Sequence, residues 1–183
     1  MRKIVFVKRK ALTILACALI AIAMFATVNS PAIVGAAATT RQLPIYRVQR
    51  DQKTVSLSFD AAWGNEDTEE LIEILGKHDI KATFFVVGEW VDKYPESVKA
   101  LHDAGHEVMN HSDDHAHFTK LSKQEVQDNI NACNDKIEAV TGVRPTLFRP
   151  PYGEYDDNVV LATRDIGMEP IQWDVDTLYT LYK

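Results

Sequence analysis

The sequence predicts an α/β fold built on a parallel sheet, either open or closed into a barrel. After residue 53, short apolar runs of strand length alternate with amphipathic patterns of helix length, as in βα units. Residues 82–87 form a nearly continuous apolar run, which suits a strand covered on both faces. Chemically reactive polar residues follow several of the runs, and parallel strands bring their carboxyl ends to one edge of a sheet.

Each element has its own signal in the sequence. The predicted strands cover residues 54–60, 82–87, 106–110, 146–149 and 170–176. The predicted helices cover residues 68–77, 95–105, 122–140 and 156–165. Pro95 suits a first helical turn, Ser122 and Glu125 form a capping box, and Gly142 is placed to end the third helix.

The first 53 residues are expected to lie outside the sheet domain. Residues 1–38 combine a basic start, an apolar run over residues 11–28 and a small-residue stretch, which is typical of a signal peptide or an N-terminal membrane anchor. Residues 39–53 form a polar lead-in, and residues 54–183 form the domain. Both alternatives for residues 1–38 predict export to the extracellular space, the cell wall or the outer face of the cytoplasmic membrane.

The charge balance excludes one class of partner. Five of the 20 basic residues lie in the first ten positions, so 15 remain against 26 acidic residues in the rest of the chain. So acidic a body repels a phosphate backbone, which excludes a nucleic-acid partner and favours an uncharged substrate. Cys17 lies in an apolar run and Cys133 in a polar helical pattern, so they build neither a disulfide framework nor a cysteine zinc site.

The segment after the third predicted strand, residues 111–115, carries the strongest chemical signal. His111 and His115 are four residues apart, a spacing that places both on one face of a helical turn, where they can bind one divalent metal. The alternative is a pair of solvated loop histidines, but the position directly after a strand favours the metal. His117 cannot share that face and is expected to be solvated or to lie behind the ligands.

Asp60 and Arg149 follow the first and fourth predicted strands. A carboxylate directly after an apolar strand is unfavourable unless it is paired, so Asp60 is interpreted as a general base or a metal ligand. The alternative is a cap for the next helix, for which Asn65 is better placed. Arg149 precedes two prolines, so it is either a structural ion-pair partner or part of a rigid loop that holds a backbone N–H for an oxyanion.

Two further features have more than one interpretation. Asp174 and Asp176 alternate along the fifth predicted strand, so only one of them can face the site, and Asp176 is nearer to the strand end. Trp63 is either a core or rim residue or a platform for a sugar ring.

Four ordered motifs resemble those of polysaccharide deacetylases with a NodB-homology domain, carbohydrate esterase family 4, and are most similar to the PdaB-like sporulation and cell-wall branch. The motifs are residues 58–60, 110–115, 149–153 and 173–177. The resemblance implies a distorted (β/α) barrel that removes N-acetyl groups from amino sugars of peptidoglycan or chitin-like glycans. The implied partner is an N-acetylated glycan, and we expect the chain to be a monomer.

The resemblance also implies roles for individual residues. Asp60 would be the catalytic base, held in place by Arg149, while His111 and His115 would bind a divalent metal, usually zinc. The backbone N–H of Tyr152 would help to hold the oxyanion. The implied reaction is metal-assisted hydrolysis of the amide, which releases acetate and leaves a free amine.

Three departures from the family pattern bear on activity. After the first motif the family has an aspartate that is its third metal ligand, and here that position is Ala61. A lower metal affinity is expected unless Asp60, Asp113, Asp114 or water takes the place of this ligand. Asp176 matches the acid that in the family's fourth motif tethers the arginine and the catalytic acid, but the chain then has Tyr179 and Thr180 where the family has an acid and a tryptophan. The chain ends at Lys183, before the family's histidine acid, so we expect a C-terminally incomplete barrel with an unpaired last edge. The alternatives are a fragment of a longer deacetylase and a shortened form, and the intact strand and helix pattern favours the fragment.

A second hypothesis belongs to a different class of protein. The chain could be a non-catalytic glycan-binding or structural wall protein that keeps the barrel and has lost the metal, as Ala61 would allow. Bound metal and released acetate discriminate between the two hypotheses. A sugar isomerase is disfavoured because the predicted strand ends carry few carboxylates.

Overall fold

The computed structural model describes residues 2–28 and 41–177, which belong to two compact units, Met1–Arg41 and Gln42–Lys183. The described part of the first unit contains one helix, α1, over Arg2–Val28. Its segment Lys10–Val28 is long and apolar enough to cross a membrane, a test that signal sequences near an N-terminus also pass. The helix therefore fits a signal peptide and a membrane anchor equally well.

The second unit is built on a parallel sheet of five strands that lie side by side in chain order. The strands are β1 Ser58–Ala61, β2 Thr83–Val86, β3 Glu107–Asn110, β4 Leu147–Phe148 and β5 Glu169–Pro170. The predicted α/β fold with a parallel sheet is confirmed. Ala61 pairs with Val86 and Val86 pairs with Asn110, so the first three strands end at the same level.

Helices connect the strands of this unit. Its described α-helices are α2 Thr68–Lys77, α3 Gly88–Lys93, α4 Pro95–Asp103, α5 Lys123–Thr141 and α6 Asp157–Asp165, with short 3₁₀ turns at Phe118–Lys120 and Pro151–Gly153. Helix α3 is absent from the prediction because six residues are too few to display a helical period. The other four agree with the predicted segments to within about two residues at each end.

The ends of α5 form as the sequence predicts. The Ser122 hydroxyl accepts from the Glu125 N–H, and the Glu125 carboxylate accepts from the Ser122 N–H at 2.8 Å, which completes the capping box. At the other end Gly142 adopts a φ of +74°, a left-handed conformation that favours glycine and stops the helix.

Two apolar clusters hold the helices against the sheet. The first joins β2 and β3 to α2, α3, α4 and α5 through Leu75, Ala82, Phe84, Val86, Val87, Trp90, Val91, Val98, Leu101, Val108, Cys133 and Ile137. The second joins β4 to α5 and α6 through Phe118, Val126, Ile130, Phe148, Val159, Ala162 and Met168. Helix α5 contributes to both clusters, so it links the two halves of the sheet.

Two strands differ from the prediction. The first begins at Ser58, since Val55 is 92 % exposed and lies outside the sheet. The predicted strand over residues 170–176 is wrong, because β5 ends at Pro170 and the polar Gln172 is buried, where its amide donates to the Gly153 carbonyl. Asp174 and Asp176 therefore lie outside any strand, so the strand alternation that would point them to opposite faces does not apply.

The lead-in before β1 lies against the far side of β5. Ile45 forms a parallel bridge with Ile171, in which the Ile45 N–H donates to the Pro170 carbonyl and the Gln172 N–H donates to the Ile45 carbonyl, both at 2.8 Å. Sequence analysis expected an unpaired edge beside the fifth strand. The edge is instead covered at this residue by a segment that precedes the sheet in the chain.

Candidate active site

Three of the predicted site residues meet at the carboxyl edge of the sheet. Asp60 lies in β1, His111 follows β3 and Arg149 follows β4. Arg149 Nη1 lies 2.7 Å from Asp60 Oδ1, and His111 Nε2 lies 3.8 Å from Asp60 Oδ2. The common level of the strand ends brings together side chains that are up to 89 residues apart in the chain.

Arg149 is a buried arginine that holds Asp60. Its Nη2 donates to the Ser58 hydroxyl at 2.9 Å, and its guanidinium stacks on the Phe85 ring at 4.0 Å from the centroid. The side chain is 5 % exposed, whereas that of Asp60 is 35 % exposed. The arginine is thus fixed by three contacts, and it fixes one carboxylate oxygen while leaving the other accessible.

His111 is oriented by a backbone carbonyl. Its Nδ1 lies 2.7 Å from the Arg149 carbonyl oxygen, which can only accept, so Nδ1 carries the proton and Nε2 carries the free lone pair. Burial lowers the pKa of His111, and the nearby Asp60 opposes this effect. The imidazole is therefore neutral at pH 7, with its lone pair on the side of Asp60.

His115 approaches His111 through a loop, not through a helical turn. Ser112 and His115 have φ values of +75° and +56°, so the helical interpretation of the four-residue spacing is wrong. The two rings nevertheless converge, with centroids 5.1 Å apart. Burial, followed by His111, lowers the pKa of His115, and its buried Nδ1 has no hydrogen-bond partner among the described residues.

Asn110 holds the start of this histidine loop, residues 111–115. Its buried side chain accepts from the Ser112 N–H at 2.7 Å and donates to the Ile130 carbonyl and to Asn134 Oδ1, both at 2.8 Å. Ser112 in turn accepts from the His115 N–H at 2.9 Å. A chain of hydrogen bonds therefore runs from α5 to His115, and the left-handed Ser112 is held by it.

Asp113 ties the middle of the loop to two helices. Lys136 of α5 lies 2.6 Å from its carboxylate, and the Asp113 N–H donates to Asn129 at 2.8 Å. The Asp113 carbonyl accepts from the Glu89 N–H at the start of α3, and a Cβ at Gly88 would overlap its carboxylate. Sequence reasoning missed these tethers, because their separation in the chain gives no local signal.

Tyr152 lies beside the histidines in the turn after β4. It has a φ of +59°, and its ring contacts His115 at 4.6 Å and stacks on His117 at 4.4 Å between centroids. His117 Nδ1 also lies 2.9 Å from Glu154. The geometry places Tyr152 next to the histidine pair, while the role of its backbone N–H stays a prediction.

Two further sequence positions contribute less to the cluster. Ala61 ends β1 and packs against the first apolar cluster, so a methyl group stands where the resemblance implies a third ligand. Asp176 lies on exposed chain beyond β5, and its role as a tether stays a prediction. Tyr179 and Thr180 lie outside the described residues.

The donor set supports a metal with two histidine ligands. His111 and His115 are neutral imidazoles close to the Asp60 carboxylate, and the N–H of His111 is engaged by a carbonyl, as is usual for metal-ligating histidines. His111 Nε2 and Asp60 Oδ2 are acceptors that face each other, and a divalent cation held by the histidines would offset their repulsion. Within residues 2–28 and 41–177, no three His, Cys, Asp or Glu side chains form a metal cluster.

Comparison with known proteins agrees with this geometry. Residues 47–171 match the polysaccharide deacetylase family. The chain is 33 % identical over 125 residues to the peptidoglycan-N-acetylmuramic acid deacetylase PdaA of Bacillus subtilis, covering 68 % of this chain and 48 % of PdaA. It is 40 % identical over 129 residues to PdaC of the same organism, covering 70 % of this chain and 27 % of PdaC. The chain thus spans less than half the length of both relatives.

A solved structure adds a relative of a different kind. A carbohydrate esterase family 4 pseudoenzyme from Bacillus anthracis is 42 % identical, with a TM-score of 0.69 over 72 % of this chain and 47 % of that chain. A mutant of this pseudoenzyme has restored enzymatic activity. Since the family match covers more than half of its residues, the chain belongs to the polysaccharide deacetylases of carbohydrate esterase family 4, with a NodB-type α/β fold.

Proposed function

We propose that the chain is an exported polysaccharide deacetylase that removes N-acetyl groups from the amino sugars of peptidoglycan or a chitin-like glycan. The observation that carries the proposal is the meeting of Asp60 with Arg149 at 2.7 Å and with His111 at 3.8 Å, beside His115. A base held by an arginine next to two neutral imidazoles suits metal-assisted amide hydrolysis. The named relatives PdaA and PdaC act on peptidoglycan, which supports the glycan as substrate class.

His111 and His115 would hold the divalent metal, for which zinc is the proposal, with water at the positions that the protein does not fill. When bound, the metal acidifies a coordinated water and polarises the substrate carbonyl. Asp60 accepts the proton of the attacking water on Oδ2, because Oδ1 is engaged by Arg149. It returns this proton to the departing nitrogen as the C–N bond breaks, which releases acetate and leaves a free amine. The backbone N–H of Tyr152 helps to hold the oxyanion, and Asp176 acts as a tether on the side of Arg149.

The N-terminal helix supports the export part of the proposal. Lys10–Val28 is an apolar helix near the N-terminus, and peptidoglycan lies outside the cytoplasmic membrane. The chain would act at the outer face of that membrane or in the wall. The proposal includes a role in sporulation, because the motifs resemble those of the PdaB-like branch.

One observation favours a second candidate, a catalytically impaired barrel that binds wall glycans. Ala61 supplies no metal ligand, and the family includes a pseudoenzyme that is 42 % identical to this chain. In this alternative the glycan still binds at the carboxyl edge of the sheet, but no acetate is released.

Acetate release from the full chain tests the proposal. The chain is purified in a detergent without a sugar headgroup, supplied with zinc, and incubated with N-acetylglucosamine tetramer and with peptidoglycan. We expect acetate from at least one substrate, and a fall of about 10²–10⁴-fold in Asp60→Asn, which removes the base and keeps the size of the side chain. Absence of acetate from folded, zinc-loaded wild type would overturn the proposal, and glycan binding by that same sample would support the second candidate.

A further inference from the structure

A large aromatic side chain stands exposed beside the histidine loop. Trp63 follows β1 and is 73 % exposed, the largest exposed fraction among the chain's three tryptophans, since Trp90 is buried and Trp173 is half-buried. Its ring centroid lies 5.1 Å from that of His115. Single exposed apolar residues are common, but this one lies at the edge of the candidate active site and is continuous with it.

The indole is one end of a row of aromatic rings across this edge of the sheet. His115 lies between Trp63 and Tyr152, at 5.1 Å and 4.6 Å between centroids, and Tyr152 stacks on His117. Tyr152 is itself 56 % exposed. The row therefore offers exposed aromatic surface on both sides of His115. This surface extends further than contact with a single N-acetyl group would require.

The loop that carries Trp63 is held rigidly although the indole is exposed. The buried Trp90 donates its Nε1 hydrogen to the Gly64 carbonyl at 2.6 Å. The Asn65 side chain donates to the Ser97 hydroxyl at 2.9 Å. The two residues that directly follow Trp63 are thus tethered to α3 and α4, so a ligand that packs on the indole need not order the loop first.

The chemistry of the ring indicates the ligand. The face of an indole is electron-rich and apolar, and it is flat over the width of a six-membered ring. A pyranose with equatorial hydroxyls presents on its face a patch of axial C–H groups that are weakly positive, so its face matches an aromatic ring while its hydroxyls stay in water. The net negative charge of the chain disfavours a polyanionic occupant.

We propose that Trp63 is a platform for a second sugar ring of a glycan whose neighbouring amino sugar lies at His111, His115 and Asp60. The inference rests on the proposed substrate class and adds that the site binds a polymer over more than one ring. It assigns Trp63 to substrate binding, not to chemistry, so its loss raises KM and leaves kcat nearly unchanged.

Binding without turnover tests the platform separately from catalysis. The full chain, in a detergent without a sugar headgroup and with the metal removed by chelation, is titrated with N-acetylglucosamine tetramer by calorimetry. We expect Trp63→Ala to weaken binding about tenfold, Trp63→Phe about threefold, and Leu161→Ala, which truncates an exposed apolar residue of α6, to bind as wild type does. A second titration with the N-acetylglucosamine monomer should show little difference between wild type and Trp63→Ala.

The outcomes separate the platform from the proposed activity. Equal tetramer affinity in wild type and Trp63→Ala overturns the platform, as does wild type that binds the tetramer no better than the monomer. Tetramer binding that depends on Trp63 in a chain that releases no acetate upholds the platform while the deacetylase proposal fails. Acetate release with the same KM in Trp63→Ala and wild type upholds the deacetylase proposal and overturns the platform.

Discussion

The histidine loop and the end of β1 differ in how completely they are built. The histidine loop is fixed by Asn110 at its start, by Ser112 within it, and by Lys136 on Asp113, so both imidazoles are positioned from behind. The end of β1 supplies Asp60, fixed by Arg149, but at the next position it supplies only the methyl group of Ala61.

This difference separates two properties of a metal site. The positions of the ligands are set by tethers to α5 and to the start of α3, which this chain retains. The anionic ligand that the family resemblance implies would come from β1, where this chain has Ala61 and supplies none. We infer that the site is preorganised for a metal but binds it with reduced charge compensation, which lowers affinity while keeping the geometry.

Removing Arg149, which holds Asp60 at the end of β1, should produce the largest effect on stability. Arg149→Met removes two hydrogen bonds of a buried guanidinium and leaves Asp60 without its cation. We expect the free energy of unfolding, measured with urea, to fall by about 3 kcal/mol. The matched control is Arg144→Met, which breaks solvent-exposed ion pairs and an exposed hydrogen bond to Asn131 and should lower the free energy of unfolding by less than about 1 kcal/mol. Equal losses would show that Arg149 is not specially fixed.

Breaking the histidine-loop side should produce a smaller loss. In Gly88→Ala the new methyl group would overlap the Asp113 carboxylate, so the start of α3 must move away from the loop. We expect the free energy of unfolding to fall by about 2 kcal/mol and zinc affinity to fall with it. Gly76→Ala is the control, because nothing lies within 4 Å of its added methyl group in α2 and it should be stabilising by about 0.5–1 kcal/mol.

A carboxylate at position 61 should make the end of β1 as complete a part of the metal site as the histidine loop. We expect Ala61→Asp to tighten zinc binding about tenfold in a competition titration, because it adds an anionic ligand beside the histidines. Without metal the same variant should be less stable than wild type, since Ala61 packs against the first apolar cluster. Ala61→Asn, which has the size but no charge, should give a smaller gain in affinity, and an unchanged affinity in Ala61→Asp would refute the inference.

The smallest expected effect concerns pH. Burial lowers the pKa of His106, His111 and His115 below the ordinary histidine value of about 6.5. The unfolded chain therefore binds protons first, so stability is complete above that value and falls as pH decreases toward the folded-state pKa. We expect the metal-free chain to unfold at a lower temperature at pH 5 than at pH 8.

One variant separates the contribution of His106 to this pH dependence from that of the two histidines in the histidine loop. His106 directly precedes β3 and lies outside the histidine loop. Its Nδ1 accepts from the Ala82 N–H at 3.3 Å. Asn can replace this acceptor but cannot be protonated, so His106→Asn should reduce the difference between pH 5 and pH 8. The exposed His78→Asn should leave it unchanged, and a reduction there of the same size would contradict the assignment.

Local signals predicted α2, α4, α5 and α6, but they missed the six-residue α3 and misjudged the last strand. Ser122, Glu125 and Gly142 fix the ends of α5 through contacts within one turn, so the sequence alone locates them. The residues after Pro170 alternate like a strand, but the burial of Gln172 and the bridge to Ile45 depend on segments far away in the chain. Such pairings carry no local pattern.

The candidate site shows the same division. Asp60, His111 and Arg149 were predicted from residue type and from their place after strands, and the aligned strand ends bring them together. His115 was predicted for the wrong reason, since left-handed residues and not a helical turn direct it. Lys136 and Asn129 were missed, because their contacts with Asp113 span 16 or more residues.

Zinc content measured against one variant tests the central claim, that two tethered histidines form a preorganised metal site. The full chain and His111→Ala are loaded with zinc, dialysed and analysed for zinc per folded chain. The account predicts about one zinc per chain in wild type and its loss in His111→Ala, since that imidazole is the most firmly oriented donor. Folded wild type without zinc, or equal zinc in both proteins, would contradict it.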